Sequence, residues 1–204
     1  GEAFRYSDVN FILLGAMLER LAGTPLQEQA WQSVLQPLGM QDSGYLPLRR
    51  HPAQRIAPTQ WEGAQMLRGE VHDPTARRMG GVAGHAGLFS TLPDLARFAR
   101  WVLATPGTMR MTAVASPSSL TEKRGLGWDV DSPFSRPRGK GYPVGSFGHT
   151  GFTGCAMWID RGSRSFYVLL SNRVHPKGGP SIVPLYEQVA TLAALAVGLL
   201  PPAQ

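Results

Sequence analysis

Residues 144–172 read VGSFGHTGFTGCAMWIDRGSRSFYVLLSN, and this stretch decides the fold class. Three short runs, Val144–His149, Cys155–Asp160 and Ser165–Asn172, follow one another at hairpin distance. Arg161-Gly162-Ser163-Arg164 supplies a turn between the last two. The expected outcome is an antiparallel meander, with Leu126–Val130 as a further strand before it. Ser181–Leu200 follows with a broad apolar face, which predicts a helix packed on that sheet. Working outward, the first half reads as helical. Apolar side chains recur at Phe11, Leu14, Leu18 and Leu21, which predicts a helix with one buried face, with Ser7 or Asp8 placed to cap the first turn and Gly23 to end the helix in a left-handed conformation. Thr24-Pro25-Leu26-Gln27 predicts a second helix with Thr24 as N-cap, running to about Pro37. A third, capped at Ser90 or Thr91, turns Leu95, Phe98, Ala99 and Val102 to one side. Pro47, Pro52, Pro58 and Pro74 break the stretch from Asp42 to Arg78, which is expected to hold no regular element. Residues 105–124 and 131–143 read as loops. Helices first and a meander last give an α+β class, an antiparallel sheet flanked by helices.

Composition removes several function classes. A chain of 204 residues that is 43% hydrophobic and 17% charged can build a real core and is not a disordered segment. No apolar run reaches the roughly 18 residues that span a bilayer; the longest, near Val189–Leu200, fits a buried helix. A single cysteine, Cys155, excludes an internal disulfide framework and any multi-cysteine zinc site. The net charge of +6 is spread over scattered arginines, with no basic stripe interleaved with aromatics, so no nucleic-acid partner is expected.

Two stretches can carry chemistry. Tyr6-Ser7-Asp8 lies at a helix start, where partial positive charge favours a phenolate that could serve as a base. The same tyrosine could instead be a half-buried side chain capping a turn. His149-Thr150-Gly151-Phe152 lies at a strand end: imidazole and hydroxyl can bind a carboxylate or carbonyl, glycine lets a substrate lie against the backbone, and the Phe152 N–H can face an oxyanion. An ordinary polar strand end before a glycine-rich turn has the same residues. His72, Asp73, His85 and His175 have no H-x-x-x-H or H-E-x-x-H spacing, so neither a metal nor another cofactor is expected, and His85 is expected to make a structural hydrogen bond in its glycine-rich loop.

Together the two stretches resemble the serine beta-lactamase and penicillin-binding-protein superfamily, closest to its class C-like branch of beta-lactamases, esterases and DD-peptidases. Of that family's S-x-x-K, Y-x-N and K-T-G motifs, Tyr6-Ser7-Asp8 matches the second and His149-Thr150-Gly151 the third. The context resembles it too: Phe4–Gly15, Pro37-Leu38-Gly39-Met40, Gly80–Thr91 with Asp94-Leu95-Ala96, and Gly148–Gly154 with Trp158-Ile159-Asp160.

No serine here has a lysine three positions on: Leu120, Pro137 and Val174 precede Lys123, Lys140 and Lys177. The resemblance implies a nucleophile N-terminal to Tyr6, so residues 1–204 are expected to form a single partial domain, helical over about 1–124 and with sheet and C-terminal helix over about 125–200. This chain by itself is then expected to be inert. The resemblance further implies an acyl-enzyme hydrolase acting on a small ester, beta-lactam or peptide. Tyr6 would share the proton work, the Phe152 N–H would bind the oxyanion, and Asp8, His149, Thr150 and Gly151 would bind substrate. Asp8 in place of asparagine and His149 in place of lysine point away from an efficient beta-lactamase. A non-catalytic ligand- or peptidoglycan-binding protein on the same scaffold is the alternative. Apolar surface left by a missing N-terminal segment predicts self-association. Periplasm and cytoplasm both remain open.

Overall fold

The apolar spacing from Phe11 to Leu21 forms helix α1 (Asp8–Ala22) in the computed structural model, which describes residues 2–199. The face expected to be buried is not: Phe11, Leu14, Leu18 and Leu21 are all exposed, and Gly15, against the glycine-rich loop, is the buried position. Gly23 ends it at φ 69°, its N–H donating to Glu19 O. The expected caps are replaced. Ser7 occupies the N-cap in extended conformation but makes no side-chain cap bond. Helix α2 (Leu26–Ala30) begins after Pro25 rather than Thr24. The free Leu26 N–H is taken by Glu19 Oε1 at 2.8 Å, and Thr24 contributes its carbonyl, to Gln29 Nε2 at 2.6 Å. A carboxylate reaching over from α1 thus does the work foreseen for a hydroxyl. The chain continues through a π turn, Trp31–Leu35.

The stretch from Asp42 to Arg78 does contain regular structure. Strands β1 (Pro58–Glu62) and β2 (Gln65–Arg68) form an antiparallel hairpin, and α3 (Pro74–Arg78) follows. The prolines punctuate these elements rather than prevent them. Pro58 is the first residue of its strand and Pro74 the first of its helix, positions where a missing N–H does least harm. Asp73 caps α3, its Oδ1 accepting from the Ala76 N–H at 2.7 Å. Helix α4 (Leu92–Ala104) starts with Thr91 Oγ1 accepting from the Asp94 N–H at 3.4 Å. Asp94, 2% exposed, accepts from the Asp42 N–H, Ser43 Oγ and Arg97, so its buried charge is satisfied. These elements make one compact unit, Tyr6–Phe98 with Val174–Gly179.

The second unit holds Ala99–Arg173 with the described residues of the two terminal stretches. Helix α5 (Met109–Thr112) and strand β3 (Lys123–Arg124) stand where loops were expected. Then come β4 (Asp129–Asp131), β5 (Phe147–Thr150), β6 (Ala156–Asp160) and β7 (Ser165–Leu169), all antiparallel and neighbours in chain order: the expected meander, with shorter strands. Phe147 pairs with Ile159 and Thr150 with Ala156; Ala156 in turn pairs with Leu169. Helix α6 (Val183–Ala196) closes the unit; Leu200, the expected end of that helix, lies outside the described residues. Trp158, fully buried, packs with Tyr142, Ala156 and Tyr167 against Tyr186, Ala190 and Ala194 of α6. Its indole N–H reaches Ser146 Oγ at 2.9 Å. Burial pushes the Tyr167 phenol up from its ordinary value, and that of Tyr186 up to about 12. Arg161, in the β6–β7 turn, donates to Val102 O, Thr108 Oγ1 and Thr112 Oγ1, tying the end of α4 and α5 to the sheet. Among the described residues no helix is long and apolar enough to cross a membrane.

Candidate active site

In the first unit, Tyr6 lies two residues ahead of α1 and is 58% exposed. Asp8 opens the helix and is exposed, an acidic side chain in the turn where the helix dipole favours one. Its carboxylate lies within 4.8 Å of ligand atoms of Asp73 and His85. The backbone fixes this neighbourhood. A Cβ on Gly84 would run into the Phe11 carbonyl oxygen, and one on Gly15 would lie 3.2 Å from Gly84 N, so only glycines let the 80–87 loop lie on α1. As expected, His85 makes a hydrogen bond in this loop region, Nε2 to Asp73 Oδ1 at 2.8 Å. Burial pushes the Asp73 carboxyl up, but donation from the Ala76 N–H and from His85 outweighs it, and the net shift is downward.

In the second unit, His149 and Thr150 end strand β5, paired with Met157 and Ala156. The ladder runs one step further, the Gly151 N–H donating to Cys155 O at 2.8 Å. His149 Nδ1 lies 2.8 Å from Thr150 O, an acceptor, so this nitrogen carries a proton. Nε2 lies 3.4 Å from Arg124 Nη1, a donor, so Nε2 accepts. The pattern assigns the Nδ1–H tautomer and makes Arg124 the permanent cation at this end of β5. Arg124 also lies 3.6 Å from buried Asp129 and stacks over the rings of Phe4 and Phe134 at 4.9 and 5.6 Å. Gly151 is not demanded by packing, because a Cβ there would meet nothing closer than Thr153 Oγ1 at 3.8 Å. Phe152 is 69% exposed, but its peptide is held: Arg173 Nε donates to Phe152 O at 3.0 Å, the Arg173 guanidinium lies 4.8 Å over the ring, and the Arg173 N–H donates to Thr153 O at 2.7 Å.

The structure therefore gathers Tyr6 and Asp8 in one unit and His149, Thr150, Gly151 and Phe152 in the other. Sequence reading missed Arg124 and Arg173. Neither belongs to a motif, and each reaches its target from a different strand or loop.

The beta-lactamase family model matches residues 1–191. The chain belongs to the beta-lactamase family. Among curated relatives, a putative D-alanyl-D-alanine carboxypeptidase of Escherichia coli K12 is 33% identical over 202 residues, which covers 86% of this chain and 46% of the relative. A protein of the same description from Salmonella paratyphi B is 32% identical over 212 residues, 90% of this chain and 49% of the relative. The chain thus spans about half the length of these relatives. Solved structures with the same fold include a beta-lactamase from Mycobacterium bovis (TM-score 0.69, 20% identity, 97% of this chain and 66% of that one). A penicillin-binding protein from Bacillus halodurans is similar as well (TM-score 0.64, 18% identity, 96% and 57%). The α+β class expected from the meander and its flanking helices, and the beta-lactamase/transpeptidase-like fold implied by the resemblance, are those of this chain, which covers part of the fold in each case.

Proposed function

We propose that this beta-lactamase-family chain carries part of the active site of a serine hydrolase that works through an acyl-enzyme on an ester or amide. The observation that carries the reading is the placement of the two motifs. Tyr6-Ser7-Asp8 leads into a helix, and His149-Thr150-Gly151 ends a strand whose next residue, Phe152, has its peptide pinned by Arg173. In this reading a serine N-terminal to Tyr6 attacks the carbonyl, and its lysine partner and Tyr6 move the proton. The Phe152 N–H and the serine's own N–H hold the tetrahedral oxyanion, where one lost donor costs about 10²–10³ in rate. Thr150 and His149 orient the substrate along β5, and water releases the acyl group. A peptidase-like or esterase activity fits better than an efficient beta-lactamase. An ionised Asp8 accepts hydrogen bonds and cannot donate one to a side-chain amide. Arg124 beside His149 suits a substrate that ends in a carboxylate. Relatives described as D-alanyl-D-alanine carboxypeptidases support a peptide substrate.

The absence of any S-x-x-K within the 204 residues favours one second reading, a non-catalytic ligand-binding protein on the same scaffold. The two part on one experiment. A polypeptide extended upstream of Gly1 is assayed on a D-alanyl-D-alanine peptide, on p-nitrophenyl acyl esters and on a chromogenic cephalosporin. Turnover of peptide or ester that falls with Tyr6→Phe is expected. Faster turnover of the cephalosporin than of the esters contradicts the substrate preference. No turnover, with retained ligand binding, supports the second reading. For the 204-residue chain by itself we expect no turnover. We also expect self-association through the exposed Val9, Leu13, Met17 and Leu21 of α1.

A further inference from the structure

The geometry points to a divalent transition-metal site, for Zn²⁺ or Mn²⁺, formed by Asp8, Asp73 and His85. This inference does not rest on the hydrolase reading. No sequence spacing links the three residues. The fold brings them together from the first turn of α1, the N-cap of α3 and the glycine-rich loop, with a carboxylate or imidazole ligand atom of each within 4.8 Å of the others.

Two further observations distinguish the cluster from an ordinary acidic patch. The His85 side chain is only 4% exposed and directs Nε2 at Asp73 Oδ1, while its Nδ1 is buried without a hydrogen-bond partner among the described residues. An imidazole is thus held, largely desolvated, against two carboxylates. Neither carboxylate has a lysine or arginine partner among the described residues; the Asp73 charge is met by the Ala76 N–H and His85 and the Asp8 charge by no described side chain. Two carboxylates this close repel each other, and a bound dication offsets that repulsion more fully than one imidazole can.

The donor set selects the ion. One nitrogen and two carboxylate oxygens suit Zn²⁺ or Mn²⁺, whereas Mg²⁺ and Ca²⁺ prefer oxygen alone. Ligand distances of about 2.1 Å in a tetrahedral site put donor atoms roughly 3.4 Å apart, within the spread found here after small side-chain rotations. With the ion bound, the Nε2 lone pair faces the metal in place of the contact with Asp73 Oδ1, and the ring proton sits on Nδ1. The exposed Asp8 side leaves the remaining coordination positions to water. The backbone contact of Gly84 with Phe11 holds His85 beside α1 whether or not an ion is present.

The test uses the protein stripped with EDTA, dialysed, and titrated calorimetrically with ZnCl₂, MnCl₂, MgCl₂ and CaCl₂. The expected result is one equivalent of Zn²⁺ or Mn²⁺ per chain at micromolar affinity or tighter, with a rise in Tm on loading. Asp8→Asn and His85→Gln should each weaken binding roughly 10- to 100-fold, the loss that even an outer-shell partner brings. Asp8 is exposed and has no side-chain hydrogen bond or ion pair among the described residues, so its variant keeps the far-ultraviolet circular dichroism of the parent should His85→Gln fail to fold. Absence of stoichiometric Zn²⁺ or Mn²⁺, preference for Mg²⁺ or Ca²⁺, or an affinity unchanged in Asp8→Asn would overturn the assignment.

Discussion

Tyr6-Ser7-Asp8 and His149-Thr150-Gly151 are the two family motifs in this chain, and they are supported in different ways. The strand motif is held inside its own unit by ladder bonds to β6, with Arg124 on the imidazole and Arg173 on the following peptide. The tyrosine motif has no side-chain cap on α1, and Tyr6 is largely exposed. What lies firmly in place around it is backbone, the glycine loop seated on α1. The strand motif is thus fixed by sheet pairing and two arginines, whereas the tyrosine ahead of α1 is fixed mainly by the backbone around it.

The sharpest way to break this contrast is to separate activity from stability. In the upstream-extended protein, Tyr6→Phe should lower kcat by about 10²–10⁴. The Tyr6 ring is 58% exposed, so the urea midpoint should move far less than kcat. Equal losses in both would mean that Tyr6 is a structural residue.

Next in size come the glycine of the strand motif, Gly151, and Gly148 just before it. A Cβ on Gly148 would run into the Trp158 indole and Met157 O, so Gly148→Ala should destabilise the sheet by about 3 kcal/mol or more in urea unfolding. Gly151→Ala meets open space and should cost less than about 1 kcal/mol while lowering kcat/KM. The reverse order would remove the argument that Gly151 is there for a substrate.

The caps give a smaller effect. Asp73→Ala should cost about 1 kcal/mol because its carboxylate caps α3, whereas Ser7→Ala should cost less than about 0.3 kcal/mol because Ser7 caps nothing. Acid titration sharpens the point. The folded-state carboxyl of Asp73 is depressed below its ordinary 3.8, so its contribution is present above that value and disappears as pH falls through the lower folded-state value. The acid limb of stability should be shallower in Asp73→Asn.

The last effect falls on the sheet unit. With the Tyr186 phenol raised to about 12, the stability it supports is intact below pH 10 and is lost as pH rises from there through 12. Tyr186→Phe should flatten that alkaline limb in a denaturation series.

The meander and α1 were legible in the sequence because each is decided locally, by alternation, by 3.6-residue spacing and by a turn or a Gly23 stop. The β1–β2 hairpin was not, because the four prolines between Asp42 and Arg78 read as breakers, while Pro58 opens a strand. The cap at Thr24 failed because Glu19, from the preceding helix, takes the Leu26 N–H, while Ser7 holds the N-cap position without a side-chain bond. Both motifs were visible as tripeptides. The arginines that complete the strand motif were not, since Arg124 and Arg173 lie 25 and 21 residues from the atoms they bond.

The proposed mechanism draws its nucleophile from an S-x-x-K serine, and these 204 residues contain no S-x-x-K. Intact-mass spectrometry after incubation with an acylating penicillin or activated ester tests it most directly, on the 204-residue chain and on the upstream-extended polypeptide in parallel. The account predicts one acyl adduct on the longer polypeptide, slowed by Tyr6→Phe, and none on the shorter. A stoichiometric adduct on the 204-residue chain that forms equally fast in Tyr6→Phe would contradict it.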